Sequence, residues 1–197
     1  MKPSHETNPR LGPNGSAIGK RSSLIALHLC AYLTCLIFFA SGATVPAVAI
    51  VISATLIWVS VVDFECYQIP DFASLVLAAT GLTWTLLLPA SERFDHFAAA
   101  IFFPLVLYLV GYGYLRLRGH PGLGLGDVKL AFGLGAWLGL QSSAFVLLAA
   151  SISGIATLLI FTMTNAEVER RISELPLAFG PFLCLFTWVF WLKDFAQ

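Results

Sequence analysis

Two acidic residues stand where a carboxylate can do chemistry. Asp63 closes a long apolar run and opens the polar segment Val62-Asp63-Phe64-Glu65-Cys66-Tyr67-Gln68-Ile69-Pro70-Asp71. Asp127 stands in His120-Pro121-Gly122-Leu123-Gly124-Leu125-Gly126-Asp127-Val128-Lys129-Leu130, at the head of another apolar run. An acid at the edge of an apolar stretch is costly to hold dry, so it faces a cavity, a partner or lipid headgroups. Two carboxylates meeting in one pocket would share a proton. The ionised one can then take a proton from water while the other donates to a carbonyl oxygen, which hydrolyses a peptide without metal or cofactor. On residue type alone, Asp63, Glu65 and Asp71 also fit ordinary loop charges. Asp71, directly after Pro70, is placed to cap a helix.

The elements around these acids are apolar. Of the 197 residues 58% are hydrophobic and only 11% charged, well below the roughly 25% typical of soluble domains. The charges cluster between long uncharged stretches, as they do when lipid solvates most of the outside. A net charge of zero argues against nucleic acid as a partner. The four cysteines form no Cys-x-x-Cys pair, which points to neither a zinc site nor a disulfide framework. Cys30, Cys35 and Cys184 read as buried apolar residues, whereas Cys66 lies in a polar loop without an evident role.

Residues 1–23 are rich in Gly, Pro, Ser and Asn and read as a disordered cytosolic tail. Residues 24–197 form the membrane domain. Leu24 to Val62 as one helix would be roughly 58 Å long, about twice the hydrocarbon core, so it holds two spans with a turn at Ser41-Gly42 and Pro46. Phe72–Leu88 and Phe97–Leu115 follow, separated by the polar Ser91–His96. Val128–Met163 again needs two spans, with the break expected at Gln141-Ser142-Ser143, and Phe179–Phe195 is the last. The expectation is an all-α integral membrane protein of about seven transmembrane helices.

With the N-terminus in the cytosol, the inner side carries Lys2, Arg10, Lys20, Arg21, Arg116, Arg118, Lys129, Arg170 and Arg171. The outer side carries Arg93 and Lys193. Nine against two satisfies the positive-inside rule. In that topology Asp63 ends a span running inward and Asp127 opens one running outward. Both then lie at the cytosolic edge of the membrane, far apart in sequence but at one depth.

Gly122, Gly124 and Gly126 alternate just before Asp127, giving a backbone that can approach another segment closely. A nucleotide-binding loop is excluded, since no strand precedes it and the Lys-Ser/Thr pair of a P-loop is missing. A helix-packing cluster is the plainer alternative, and Gly135 and Gly139 at four-residue spacing fit it.

Gly124-Leu125-Gly126-Asp127-Val128-Lys129-Leu130 resembles the Gly-x-Gly-Asp-x-Lys-Leu signature of type IV prepilin peptidases. Asp63 with Pro70-Asp71 looks like that family's first catalytic motif. Pro176-Leu177-Ala178-Phe179-Gly180-Pro181-Phe182 is similar to its C-terminal Pro-x-x-Phe-Gly-Pro-Phe element. Three elements in order, from Asp63 to Phe182, make the match specific. The resemblance implies Asp63 and Asp127 as the catalytic pair. Gly124, Gly126, Lys129, Glu65, Pro70, Asp71, Gly180 and Pro181 then support the site or bind substrate. It also implies an aspartic endopeptidase of a bacterial inner membrane that cleaves basic leaders from prepilin or pseudopilin precursors at the cytosolic face. Glu65 stands where many members carry Asp. With no Cys-x-x-Cys pairs, peptidase without methyltransferase activity is expected.

Helix dipoles and Lys129 would favour an ionised Asp127, the base, and a protonated Asp63, the acid. Glu65, Asp71, Glu167, Glu169 and Glu174 could attract a basic leader, although the last three also read as a solvated loop with Arg170 and Arg171. His28, His96 and His120 read as structural. The rival from another class is an ion- or proton-coupled transporter using the same carboxylates. A presenilin-like protease lacks support, since Tyr-Asp and Pro-Ala-Leu elements are absent.

Overall fold

The computed structural model describes residues 47–164 and 178–195, together with Ala26, Leu29, Cys30, Tyr32 and Leu33. It is all-helical over these residues. The helices are α1 (Ala47–Cys66), α2 (Asp71–Leu87), α3 (Ala90–Arg118), α4 (Leu125–Thr164) and α5 (Gly180–Phe195). Among the described residues, three segments are long and apolar enough to cross a membrane: Val48–Cys66, Ala90–Arg118 and Leu125–Ile160. The shorter α2 is also apolar. Every backbone polar group of a helix interior is satisfied within the helix, which is why this is the element an apolar environment selects. The expected turn at Ser41–Pro46, the 1–23 tail and Glu167, Glu169 and Glu174 lie outside the described residues.

The elements pack around a core of Ile52, Leu56 and Val59 from α1, Leu77 from α2, Leu130 and Trp137 from α4, and Leu183 and Trp188 from α5. Aromatic rings fill the far half. Trp188 stacks on Tyr32 at 5.3 Å and on Trp191 at 5.6 Å, and Trp137 stacks on Trp84 at 5.7 Å. Their indole donors are not wasted. Trp137 Nε1 donates to the Leu77 carbonyl and Trp188 Nε1 to that of Tyr32, as buried indoles require. α3 is different: Ile101, Leu105 and Leu109, spaced four apart on one face, are all more than half exposed, presenting an apolar stripe to lipid. Gly135 lets α4 run against α3, since a Cβ there would stand 2.6 Å from the Ala99 backbone.

Three expectations change. Ser91–His96 is not a separating loop; it belongs to the start of α3, which begins directly after Pro89. Glu92 and Arg93 donate their N–H groups to the Pro89 carbonyl, and Arg93 Nε bonds the Leu88 carbonyl. The break in the long apolar run falls at Gly139, not at Gln141–Ser143. Gly139 has φ 71°, which splits α4 into two arms. Ser142 is spent inside the second arm, donating to Asp194 at 2.5 Å. Asp71 is the first helical residue of α2, not its cap: Pro70 holds the cap position and no side chain bonds there.

The helices share two ends. At one end are the close of α1 and the starts of α2, α4 and α5; at the other are the start of α3, the Gly139 break and the close of α5.

Candidate active site

Asp63 lies in the last turn of α1. The helix stops after Cys66, with Tyr67 in the left-handed region at φ 53° and its N–H on the Asp63 carbonyl. A helix ending in a left-handed residue turns the chain sharply, and residues 67–70 carry it back to α2. Asp63 itself is only 6% exposed. Its Oδ2 accepts the backbone N–H of Gly180, first residue of α5, at 2.9 Å.

Asp127 is built into the beginning of α4. Gly124 precedes the helix, so Asp127 is its third residue, and its carboxylate turns back to the Gly124 N–H. This is the reciprocal half of a capping box, in which an acidic third residue satisfies the cap's own donor. A Cβ on Gly124 would crowd Asp127 Oδ2 at 3.3 Å, and one on Gly126 would meet Ile69 Cβ at 3.0 Å. The two glycines thus have separate reasons. One keeps room for the carboxylate, and the other lets the α1–α2 loop close onto α4.

The outcome is a single open cavity of about 640 Å³. Val62, Asp63, Tyr67, Gln68, Ile69, Pro70 and Asp71 line one wall, and Gly124, Leu125, Gly126, Asp127 and Lys129 the other. Both aspartates face it, and the charge of Asp63 acts directly on Asp127. The volume falls within the ~300–1,000 Å³ usual for ligand pockets and suits a short stretch of extended peptide. Lys129 Nζ crosses to Asp71 Oδ1 at 2.6 Å, tying α4 to α2 at the rim, with both side chains more than half exposed. Among the described residues no three His, Cys, Asp or Glu side chains gather as a metal site needs.

Of the residues singled out from the sequence, the cavity brings together Asp63, Pro70, Asp71, Gly124, Gly126, Asp127 and Lys129. Gly180 reaches it through its bond to Asp63. Pro181 is buried behind Gly180, and Glu65 is exposed outside the cavity lining. Asp63 ends α1 and Asp127 begins α4 as expected, but Asp63 also meets the start of α5, which offsets the dipole contrast between them. Lys129 is engaged with Asp71. The acid and base roles therefore do not follow from those two features. Tyr67, Gln68 and Ile69 were missed, and only their place inside the first motif, between Asp63 and Pro70, could have flagged them.

Residues 50–159 match the family model described as the type IV leader peptidase family. The chain belongs to this family. Among curated proteins it is 32% identical over 170 residues to a prepilin leader peptidase/N-methyltransferase of Pectobacterium carotovorum subsp. carotovorum, covering 84% of this chain and 60% of that protein. A protein of the same name from Aeromonas salmonicida (strain A449) is 31% identical, over 72% of this chain and 47% of its own length. Another from Escherichia coli (strain K12) is 33% identical, over 64% and 54%. The chain thus spans about half the length of the curated relatives it matches. No solved structure matches it.

Proposed function

We propose that this chain is a membrane aspartic endopeptidase that removes the basic leader from type IV prepilin or pseudopilin precursors at the cytosolic face of the bacterial inner membrane. The observation that carries this reading is the convergence of Asp63 and Asp127, from different helices, on one open cavity. Two carboxylates so placed hold one proton between them and titrate as a pair. The ionised member removes a proton from water, which attacks the scissile carbonyl carbon. The protonated member donates to the carbonyl oxygen, giving a tetrahedral diol. Collapse of the diol breaks the C–N bond as the amine takes up a proton. No metal takes part, and no cofactor.

The cavity opens beside a rim carrying Asp71, and Glu65 stands exposed nearby; both favour a basic leader. The hydrophobic segment of the substrate lies against the helices in the bilayer. Nine of the eleven Lys and Arg residues fall on the side that also carries the aspartates when the N-terminus is cytosolic, which supports the inward-facing orientation.

The test is cleavage of a purified prepilin by membranes containing the wild type, Asp63→Asn or Asp127→Asn. Cleavage by the wild type alone is expected. Undiminished cleavage by either variant would exclude the paired mechanism, and no cleavage by any of the three would return the transporter reading.

A further inference from the structure

We infer that Gly180 is the positioning residue of the site, its backbone N–H fixing the Asp63 carboxylate so that it faces Asp127. This rests on the peptidase reading and adds a role for the third motif, whose residues do not line the cavity.

The contact joins residues 117 apart. It brings α5 to the end of α1, and Oδ2 of a nearly buried carboxylate is committed to it. The position tolerates no side chain. A Cβ on Gly180 would lie 2.7 Å from Asp63 Oδ2 and 3.2 Å from its Cγ, so the carboxylate or the helix would have to move. Pro181 follows in the first turn of α5 and has no N–H of its own, so the donor next to Gly180 is removed. One turn on from Gly180, Leu183 and Cys184 are fully buried in the core that α5 shares with Ile52, Leu56 and Val59 of α1, so packing beneath the contact holds the two helices together. A carboxylate held this way has lost its rotational freedom before substrate arrives, and preorganisation of that kind acts on turnover rather than on binding.

A purely structural bond would act differently, holding α5 in place and contributing to stability alone. The two are separated by replacing Gly180 with glycolic acid, a backbone ester that removes the N–H and adds no bulk, alongside Gly180→Ala. The ester is expected to lower kcat for prepilin about ten- to a hundredfold, the size set by one charge-assisted bond. KM should stay within about twofold and the unfolding temperature close to wild type. Gly180→Ala should lower kcat at least as much. An ester protein with wild-type kcat, or one whose loss is entirely in KM or in thermal stability, overturns the inference while leaving the peptidase reading intact. Independently of activity, ¹⁵N-glycine-labelled protein should show a downfield Gly180 amide proton that is lost in Asp63→Ala. If that resonance does not respond, the contact is absent and the inference falls even where wild-type cleavage is intact; a wild type that cleaves nothing fails the peptidase reading instead.

Discussion

Two aspartates in this molecule do the same local thing at opposite ends. At the site end, Asp63 Oδ2 accepts the Gly180 N–H where α5 begins, at 2.9 Å. At the far end, Asp95 Oδ2 accepts the Leu140 N–H where the second arm of α4 begins, also at 2.9 Å. Each sits against a glycine that could carry no side chain: Gly180 in one case, Gly139 in the other. Each stabilises the positive start of a helix. What differs is the rest of the surroundings. Asp63 faces an open cavity with a second carboxylate in its wall. Asp95 is flanked by His96, whose Nδ1 is 2.9 Å from the Ala136 carbonyl, in a partly buried corner around the Gly139 break with no second carboxylate against it among the described residues. An aspartate at a helix start is therefore a structural device by default, and it becomes a candidate for chemistry only where a partner acid and space for a substrate come with it.

The largest expected difference follows from that contrast. Asp63→Asn or Asp127→Asn should lower cleavage per folded molecule by more than about 10³-fold, as loss of an acid–base group does. Asp95→Asn should do the reverse. Its amide oxygen is a weaker acceptor, so stability should fall by about 1–3 kcal/mol while turnover per folded molecule holds within about twofold. A loss of turnover as large as that of Asp63→Asn would break the distinction between the two ends.

A comparable stability loss, roughly 1–3 kcal/mol, is expected from Gly135→Ala, where the new methyl would force α4 away from the α3 backbone. Measured by chemical unfolding in detergent, this sharpens the view that the first arm of α4, beyond the site, works by packing.

The smallest effect concerns the rim. The Lys129–Asp71 pair is more than half exposed, so Asp71→Asn should change stability by less than about 1 kcal/mol. KM for a basic-leader substrate should rise severalfold and grow less salt-sensitive, with kcat little changed.

Much of this was legible from residues alone. Phe72–Leu88 and Phe179–Phe195 nearly coincide with α2 and α5, because apolar runs bounded by Pro70-Asp71 and by Gly180-Pro181 leave little freedom in placing a helix. Asp63 and Asp127 were legible for a different reason: an acid at the edge of an apolar run is conspicuous. What stayed hidden depended on contacts between distant segments. Ser91–His96 looks like a loop by polarity, yet Asp95 and His96 turn their polar groups onto α4 and the run stays helical. Gln141-Ser142-Ser143 looks like a break, yet Ser142 is satisfied by Asp194 and the turn needs the positive φ that Gly139 supplies. The pairing of Lys129 with Asp71 and of Gly180 with Asp63 leaves no trace in local sequence. These pairings offset the two features on which the choice of acid and base was built.

The most direct check of the two converging carboxylates is cysteine cross-linking in native membranes. In a background with Cys30, Cys35, Cys66 and Cys184 replaced, cysteines at positions 63 and 127 should be joined rapidly by the shortest bis-methanethiosulfonate, and those at 95 and 127 should not. Equal rates for the two pairs, or no product from 63 and 127, would contradict the account.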